Sequence, residues 1–179
     1  MRKALYLLGQ LDDADVEWMM AEGGRQRVPA GTVLIREGQP IDALYIILDG
    51  SVEVSGTGVA GEAIRLGCGE VVGEMSFVEA RPPSATVAAA EGLVVLAIPR
   101  ARLTAKLARD AGFAARFYRS LAVFLSHRLR ETVARLGYGK GQPLREDLEY
   151  EGELDTETLD CVHLAGSRFD RVRQRLLAE

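Results

Sequence analysis

Between Arg25 and Pro99 the chain is a succession of short β-branched and apolar runs, each closed by a turn residue. The runs are RQRVP, TVLIR, ALYIILDG, SVEVSG, EAIRLG, ATVAAA and LVVLAIP. Strand formers broken this often, with no helical periodicity between them, leave little room for anything but antiparallel pairing. Their even, close spacing points to a barrel or jelly roll. Gly31, Gly38 and Gly50 fall between runs, where a turn needs positive φ. The texture changes on both sides of this block, and helical spacing takes over. The expected fold is mainly β with flanking helices: an antiparallel β-roll (a double-stranded β-helix, or jelly roll) with an N-terminal helix and C-terminal helices.

Within the β block one stretch carries candidate chemistry: VVGEMSFVEARPPSATV, Val71 to Val87. Gly73 permits a close approach or a positive φ. A short helical turn is expected over Glu74 to Glu79, and its free N–H groups suit a small anion. Glu74, at the head of that turn, would not bind phosphate but would accept a hydrogen bond from a sugar hydroxyl, as acidic residues do for ribose in dinucleotide sites. SATV then returns to an extended strand. Two readings stand side by side: an anion site, or a glycine turn between two strands with nothing bound.

The stretch resembles the phosphate-binding cassette of cyclic-nucleotide-binding domains, the family of the catabolite activator protein, protein kinase A regulatory subunits and gated channels. The family pattern is roughly G-E-[LIM]-[SAG]-[LF], a spacer, then R-[STA]-A-[TS]-V. Gly73, Glu74, Met75, Ser76 and Phe77 match its first half, and Ser84, Ala85, Thr86 and Val87 its second. The frame PAGTVLIREGQPIDALYIILDGSVEV resembles the first half of the same domain. The resemblance implies that cAMP or cGMP is the ligand to test and that Gly73, Glu74, Met75, Ser76, Ser84, Ala85 and Thr86 line its site. It places Thr132, in the long helix, where the activator branch contacts the base. One position departs from the pattern. The arginine that pairs with the cyclic phosphate should directly precede Ser84, and Pro83 stands there; the nearest arginine is Arg81, a candidate to reach the phosphate in its place, followed by Pro82 and Pro83.

Outside the β block, Leu11 to Ala21 reads as a helix capped by Asp12 or Asp13, with Val16, Met19 and Met20 on its apolar face and Trp18 as a packing residue. Arg100 to Asp110 reads as a short helix ending near Gly112. Phe113 to Leu136 reads as a long one, with Phe117, Leu121, Phe124, Leu125, Leu129 and Leu136 on one face. That stripe is a candidate homodimer contact over residues 113–136, as in the activator branch, or a face packed on its own barrel. Gly139, Gly141 and Pro143 mark a joint, and Glu146 to Asp160 holds eight acidic residues and no basic ones. The expected organisation is one domain over 1–137, a flexible acidic linker over 138–160 and an amphipathic helix over 161–179. In that last helix Phe169, Val172, Leu176 and Leu177 face one way and Arg168, Arg171, Arg173 and Arg175 elsewhere. It either folds back on the barrel or docks into a protein partner.

Several function classes find no support. At 179 residues, 47% hydrophobic and 27% charged, the composition is that of a soluble globular protein. A cupin-type metal site needs converging His and carboxylate ligands, yet the two histidines, His127 and His163, both lie outside the β block. No nucleophile motif is present. The expectation is a protein that is not an enzyme and holds no metal. A net charge of −4 and an acidic stretch after the long helix argue against nucleic acid. No apolar run approaches a membrane span, and the start MRKALYLLGQLDD lacks a signal peptide's long apolar region and cleavage site. Cys68 and Cys161 are expected to be reduced, in a cytoplasmic protein. What remains is a regulatory or interaction module whose cyclic-nucleotide binding is weak or lost, or alternatively a cAMP or cGMP sensor that signals through its C-terminal helices.

Overall fold

The computed structural model describes residues 3–56, 63–79, 81–135 and 156–178, with the backbone alone at 3, 127, 128, 130–135 and 156–162. Two helices come first, α1 (Lys3–Gln10) and α2 (Asp13–Glu22). The strands follow: β1 (Gly24–Val28), β2 (Val33–Ile35), β3 (Ala43–Asp49), β4 (Ser51–Ser55), β5 (Ile64–Gly67), β6 (Val71–Val72), β7 (Thr86–Ala89) and β8 (Leu93–Pro99). A 3-10 turn, Glu74–Phe77, lies between β6 and β7. The chain closes with α3 (Arg100–Arg109), α4 (Ala111–Arg135) and α5 (Thr156–Leu177). Two four-stranded antiparallel sheets, ordered β1-β8-β3-β6 and β2-β7-β4-β5, face each other as a roll with helices beside it.

Alternation along β3 decides where the layers go. Ala43, Tyr45 and Ile47 point into the cluster between the sheets, with Val52, Val72, Val87 and Val95. Leu44, Ile46 and Leu48 point the other way, into a second cluster shared with the helices. Successive side chains of a strand leave on opposite faces. A strand covered on both faces is therefore apolar throughout, as ALYIIL is. The second cluster holds Leu7 and Leu8 from α1, Phe113 and Phe117 from α4, and Phe169 and Val172 from α5. Phe113 and Phe117 stack at 6.0 Å, and Trp18 meets Phe113 edge-on at 5.4 Å, which gives Trp18 the packing role expected of it.

The helical expectations shift in three places. Lys3–Gln10 is a helix, α1, in a stretch too short and too lightly patterned to declare one; its neighbours α4 and α5 supply the stability that eight residues lack alone. The second helix starts at Asp13 rather than Leu11, and of the two expected caps it takes Asp12, whose carboxylate accepts from the Asp15 N–H at 2.8 Å while Asp15 reciprocates at 3.0 Å. The last helix starts at Thr156, inside the stretch expected as linker, and residues 136–155 lie outside those described. It packs on α1 and α2 of its own chain, so Phe169, Val172 and Leu176 are covered without a partner. Arg168, assigned to its polar side, is buried.

Candidate functional site

Gly73 is the pivot of the candidate site. It is left-handed, with φ +90 and ψ 0, and leads from β6 into the 3-10 turn. A Cβ there would stand 3.1 Å from the Ala43 carbonyl and 3.3 Å from Ile41 Cδ1, so both conformation and space require glycine. After the turn the chain passes Arg81, Pro82 and Pro83 and enters β7, whose Val87 pairs with both Ile35 and Val54. The expected site residues other than Thr132 thus lie on the β6-to-β7 connection and the start of β7.

Glu74 is 6% exposed. It borders a small void with Leu7 from α1, Leu44 and Val71 from the sheet, and Phe117, Ser120, Leu121 and Phe124 from α4. Its surroundings are therefore largely the helical layer. Met75 is exposed and Ser76 half-buried; the Ser76 carbonyl accepts a 3.1 Å hydrogen bond from Arg100 Nη2, at the head of α3. The Arg100 guanidinium lies 4.9 Å from the Phe77 ring centroid, and Phe77 in turn meets Phe117 edge-on at 6.2 Å. A cation over a ring that packs on a third group ties the turn to α3 and α4 together.

The second half of the stretch is tied to the turn before β3. Gly38 N–H donates to the Pro83 carbonyl at 2.9 Å, and Glu37 N–H donates to Thr86 Oγ1 at 3.1 Å. Ser84 is exposed and Ala85 half-buried. The Glu37 carboxylate shares this corner: a Cβ on Gly56 would stand 2.9 Å from Glu37 Oε2, 3.0 Å from Ala85 Cα and 3.1 Å from the Ser84 carbonyl. Arg81 does not turn inward. Its side chain is 83% exposed and its Nε is 3.8 Å from Glu79 Oε2, a loose surface pair. Thr132 lies on α4, and its side chain is outside the described residues.

Sequence reasoning passed over four contributors. Tyr45 stands in the cluster between the sheets, and burial, then the Asp42 charge, pushes its hydroxyl pKa up. Glu37 and Gly38 reach the stretch only through the paired sheet, 49 residues from Thr86 in the case of Glu37. Arg100 has a local signal, being the first residue after a strand ending in proline, but nothing in sequence says that it aims at Ser76. Cys68 is free, and its Sγ is 3.1 Å from the Leu48 carbonyl. Among the described residues no group of three His, Cys, Asp or Glu is placed to hold a metal ion, and no helix is long and apolar enough to cross a membrane.

Comparison with known proteins agrees with this geometry. The sequence profile described as "Cyclic nucleotide-binding domain" matches residues 25–110. A cyclic nucleotide-gated potassium channel of Mesorhizobium japonicum is 38% identical over 71 residues, which is 40% of this chain and 19% of that protein. The chain spans 26% or less of the curated relatives it matches. Among solved structures, the N-terminal domain of a transcriptional regulator from Streptomyces coelicolor superposes with a TM-score of 0.56 at 29% identity, over 71% of this chain and 90% of that one. A cyclic nucleotide-binding domain from Methylobacillus flagellatus superposes with a TM-score of 0.63 at 24% identity, over 78% of this chain and 84% of that one. The two-sheet antiparallel roll is shared with these solved structures, and residues 25–110 belong to the cyclic nucleotide-binding domain family.

Proposed function

We propose that this chain is a non-enzymatic regulatory module of cyclic nucleotide-binding fold whose own affinity for cyclic nucleotides is weak. The observation that carries this reading is Pro83, at the position the family gives to the phosphate arginine, with Arg81 turned to solvent beside Glu79. A cyclic phosphate carries one negative charge, and burying it without a cation costs several kcal/mol, on the order of the penalty for an unpaired buried ion. Proline supplies no donor at all.

A second reading has its own support. Gly73 keeps the left-handed turn and Glu74 heads it, as in the family pattern, and the relative from Mesorhizobium is named as cyclic nucleotide-gated. Under this reading the module is a cAMP or cGMP sensor. Glu74 would hold the ribose, Gly73 to Ser76 would offer backbone N–H groups, and Ser84, Ala85, Thr86 and Thr132 would complete the site. In either case α4 is the output: its first half packs on the cassette through Phe117, and Leu129 further along is 64% exposed. That exposed apolar group supports residues 113–136 as a homodimer contact. We place the module in the cytoplasm, without nucleic acid or membrane contacts of its own.

The deciding experiment follows melting temperature as cAMP and cGMP are added. A ligand at a hundred times its Kd stabilises by about 2.7 kcal/mol. The first reading expects no shift at micromolar nucleotide; a clear shift that survives in Arg81→Ala favours the second.

A further inference from the structure

The joint between α1 and α2 is gripped by two arginines from distant parts of the chain. From α4, Arg116 Nε donates to Asp15 Oδ2 at 2.6 Å and Nη2 donates to Asp15 Oδ1 at 2.9 Å, with Asp12 Oδ2 3.1 Å from Nη2. From α5, Arg168 Nε donates to Asp13 Oδ1 at 2.8 Å. Arg168 Nη1 donates to the carbonyls of Leu8 (2.9 Å) and Leu11, at the C-terminal end of α1, where a helix leaves its acceptors open. Asp15 is 3% exposed and Arg168 6%. Their partners are less covered, 35% exposed for Arg116 and 61% for Asp13, so each grip has one buried end. A charge stripped of its partner at such depth is strongly unfavourable.

We infer that the Asp12–Asp15 turn is a relay that couples the position of α4 to the docking of α5. It holds whether or not the barrel takes a ligand. Asp12 and Asp15 are locked to each other by their reciprocal backbone-to-carboxylate bonds, so the turn moves as one piece. A displacement of Arg116 by roughly an ångström breaks a two-bond fork of this geometry or carries the turn with it. Carrying the turn moves Asp13 and the Leu11 carbonyl, two of the three acceptors that seat Arg168. Without that seat Phe169 and Val172, next to it on the helix, lose their register against α1. The coupling runs equally in the other direction, as any linkage between two equilibria must. What the relay sets is whether the apolar face of α5 stays seated on α1.

The relay competes with a plainer route, in which α4 and α5 influence each other only through the apolar body of α1. Hydrogen exchange of the full chain separates the two, with β3 as the reference for global opening and peptides within residues 165–176 as the reporter for α5. Arg168→Met is expected to speed α5 exchange about tenfold relative to β3 by removing the seat itself. Arg116→Met is the decisive variant, since the hydrogen bonds and ion pairs of Arg116 go to Asp12 and Asp15. The relay expects it to speed α5 exchange at least about threefold relative to β3, and the double variant to be no faster than Arg168→Met alone. An α5-to-β3 ratio in Arg116→Met within about twofold of wild type, or a double variant whose effect is the product of the two, overturns the relay. Should Arg116→Met fail to fold, Asp13→Asn takes its place, at an exposed carboxylate whose charge partners are Arg168 and Arg171. Faster exchange over residues 113–124 of α4 then supports the relay, and unchanged exchange there ends it.

Discussion

Arg81 and Arg168 sit at opposite extremes of the same molecule. Arg81, beside the cassette where the family places a cation on its ligand, is 83% exposed and leans on Glu79 across 3.8 Å. Arg168, in a helix that reads as peripheral, is 6% exposed and holds an aspartate and two backbone carbonyls. On α4 the half-buried Arg116 holds the buried Asp15 in a two-bond fork. Asp15 and Arg168, both buried, thus hold helices to one another, while Arg81 beside the cassette stays in solvent. The difference teaches that an arginine's role here follows from what packs against it in space, not from the motif beside it in sequence.

The comparison breaks most visibly if the helical layer is not what holds the cassette. Phe117 is fully buried and packs on Phe77 of the turn and on Phe113. Phe117→Ala is expected to cost about 3–5 kcal/mol in denaturant unfolding, the range for a large buried aromatic. A loss below about 1 kcal/mol would mean that the roll stands without the helices.

At the cassette the expected change is a gain. Pro83→Arg introduces a planar, permanently charged fork, and cyclic-nucleotide binding should tighten by one to two orders of magnitude, about 1.5–3 kcal/mol for a charged hydrogen bond. Calorimetry on the two proteins measures it. If affinity stays flat, the defect is more than a missing charge. In the same background Glu74→Ala should weaken binding by about 1.5–3 kcal/mol if that carboxylate holds a ribose hydroxyl. No change would assign Glu74 to the cassette–α4 contact alone.

Acid sharpens the contrast further. The hydrogen bond from Arg168, and then its charge, hold the Asp13 carboxyl below its ordinary 3.8. For Asp15, burial pushes the pKa up, but the hydrogen bonds from Arg116 and the Asp12 N–H prevail and hold it below 3.8 as well. A group whose pKa is depressed by folding adds stability that is complete above its unfolded value and is lost as pH falls through the folded one. Both helix grips should therefore hold at neutral pH and weaken below about 3.8, with α5 exchange rising before that of β3. An α5 helix as protected at pH 3 as at pH 7 would show that packing alone seats it.

The smallest effect on folding is expected at Leu129. Leu129 is 64% exposed, and Leu129→Glu should leave unfolding within about 0.5 kcal/mol of wild type. Light scattering should nonetheless show any dimer formed through residues 113–136 falling apart. A dimer that survives uses another surface.

Much of the fold was legible before any coordinates. Runs of strand formers broken at Gly31, Gly38 and Gly50 identify the roll, because each glycine has a φ between 74 and 81 that other residues rarely adopt. Gly73 and the residues around it identify the cassette, since a glycine pivot and the strand after it are local features. That Pro83 directly precedes Ser84 is visible in the letters alone. What only the tertiary structure decided is where charges and long-range contacts go. Arg168 shares its helix with Arg171 and Arg175, and nothing in their spacing tells the buried one from the exposed ones. Its burial depends on meeting α1 end-on, a contact across 157 to 160 residues. α1 itself is too short to be helical alone and exists between α4 and α5. The surroundings of Glu74 likewise depend on how α1 and α4 close over it. Backbone conformation is written by neighbours in sequence, whereas desolvation and ion pairing are written by neighbours in space, and the second kind is settled only when the layers meet.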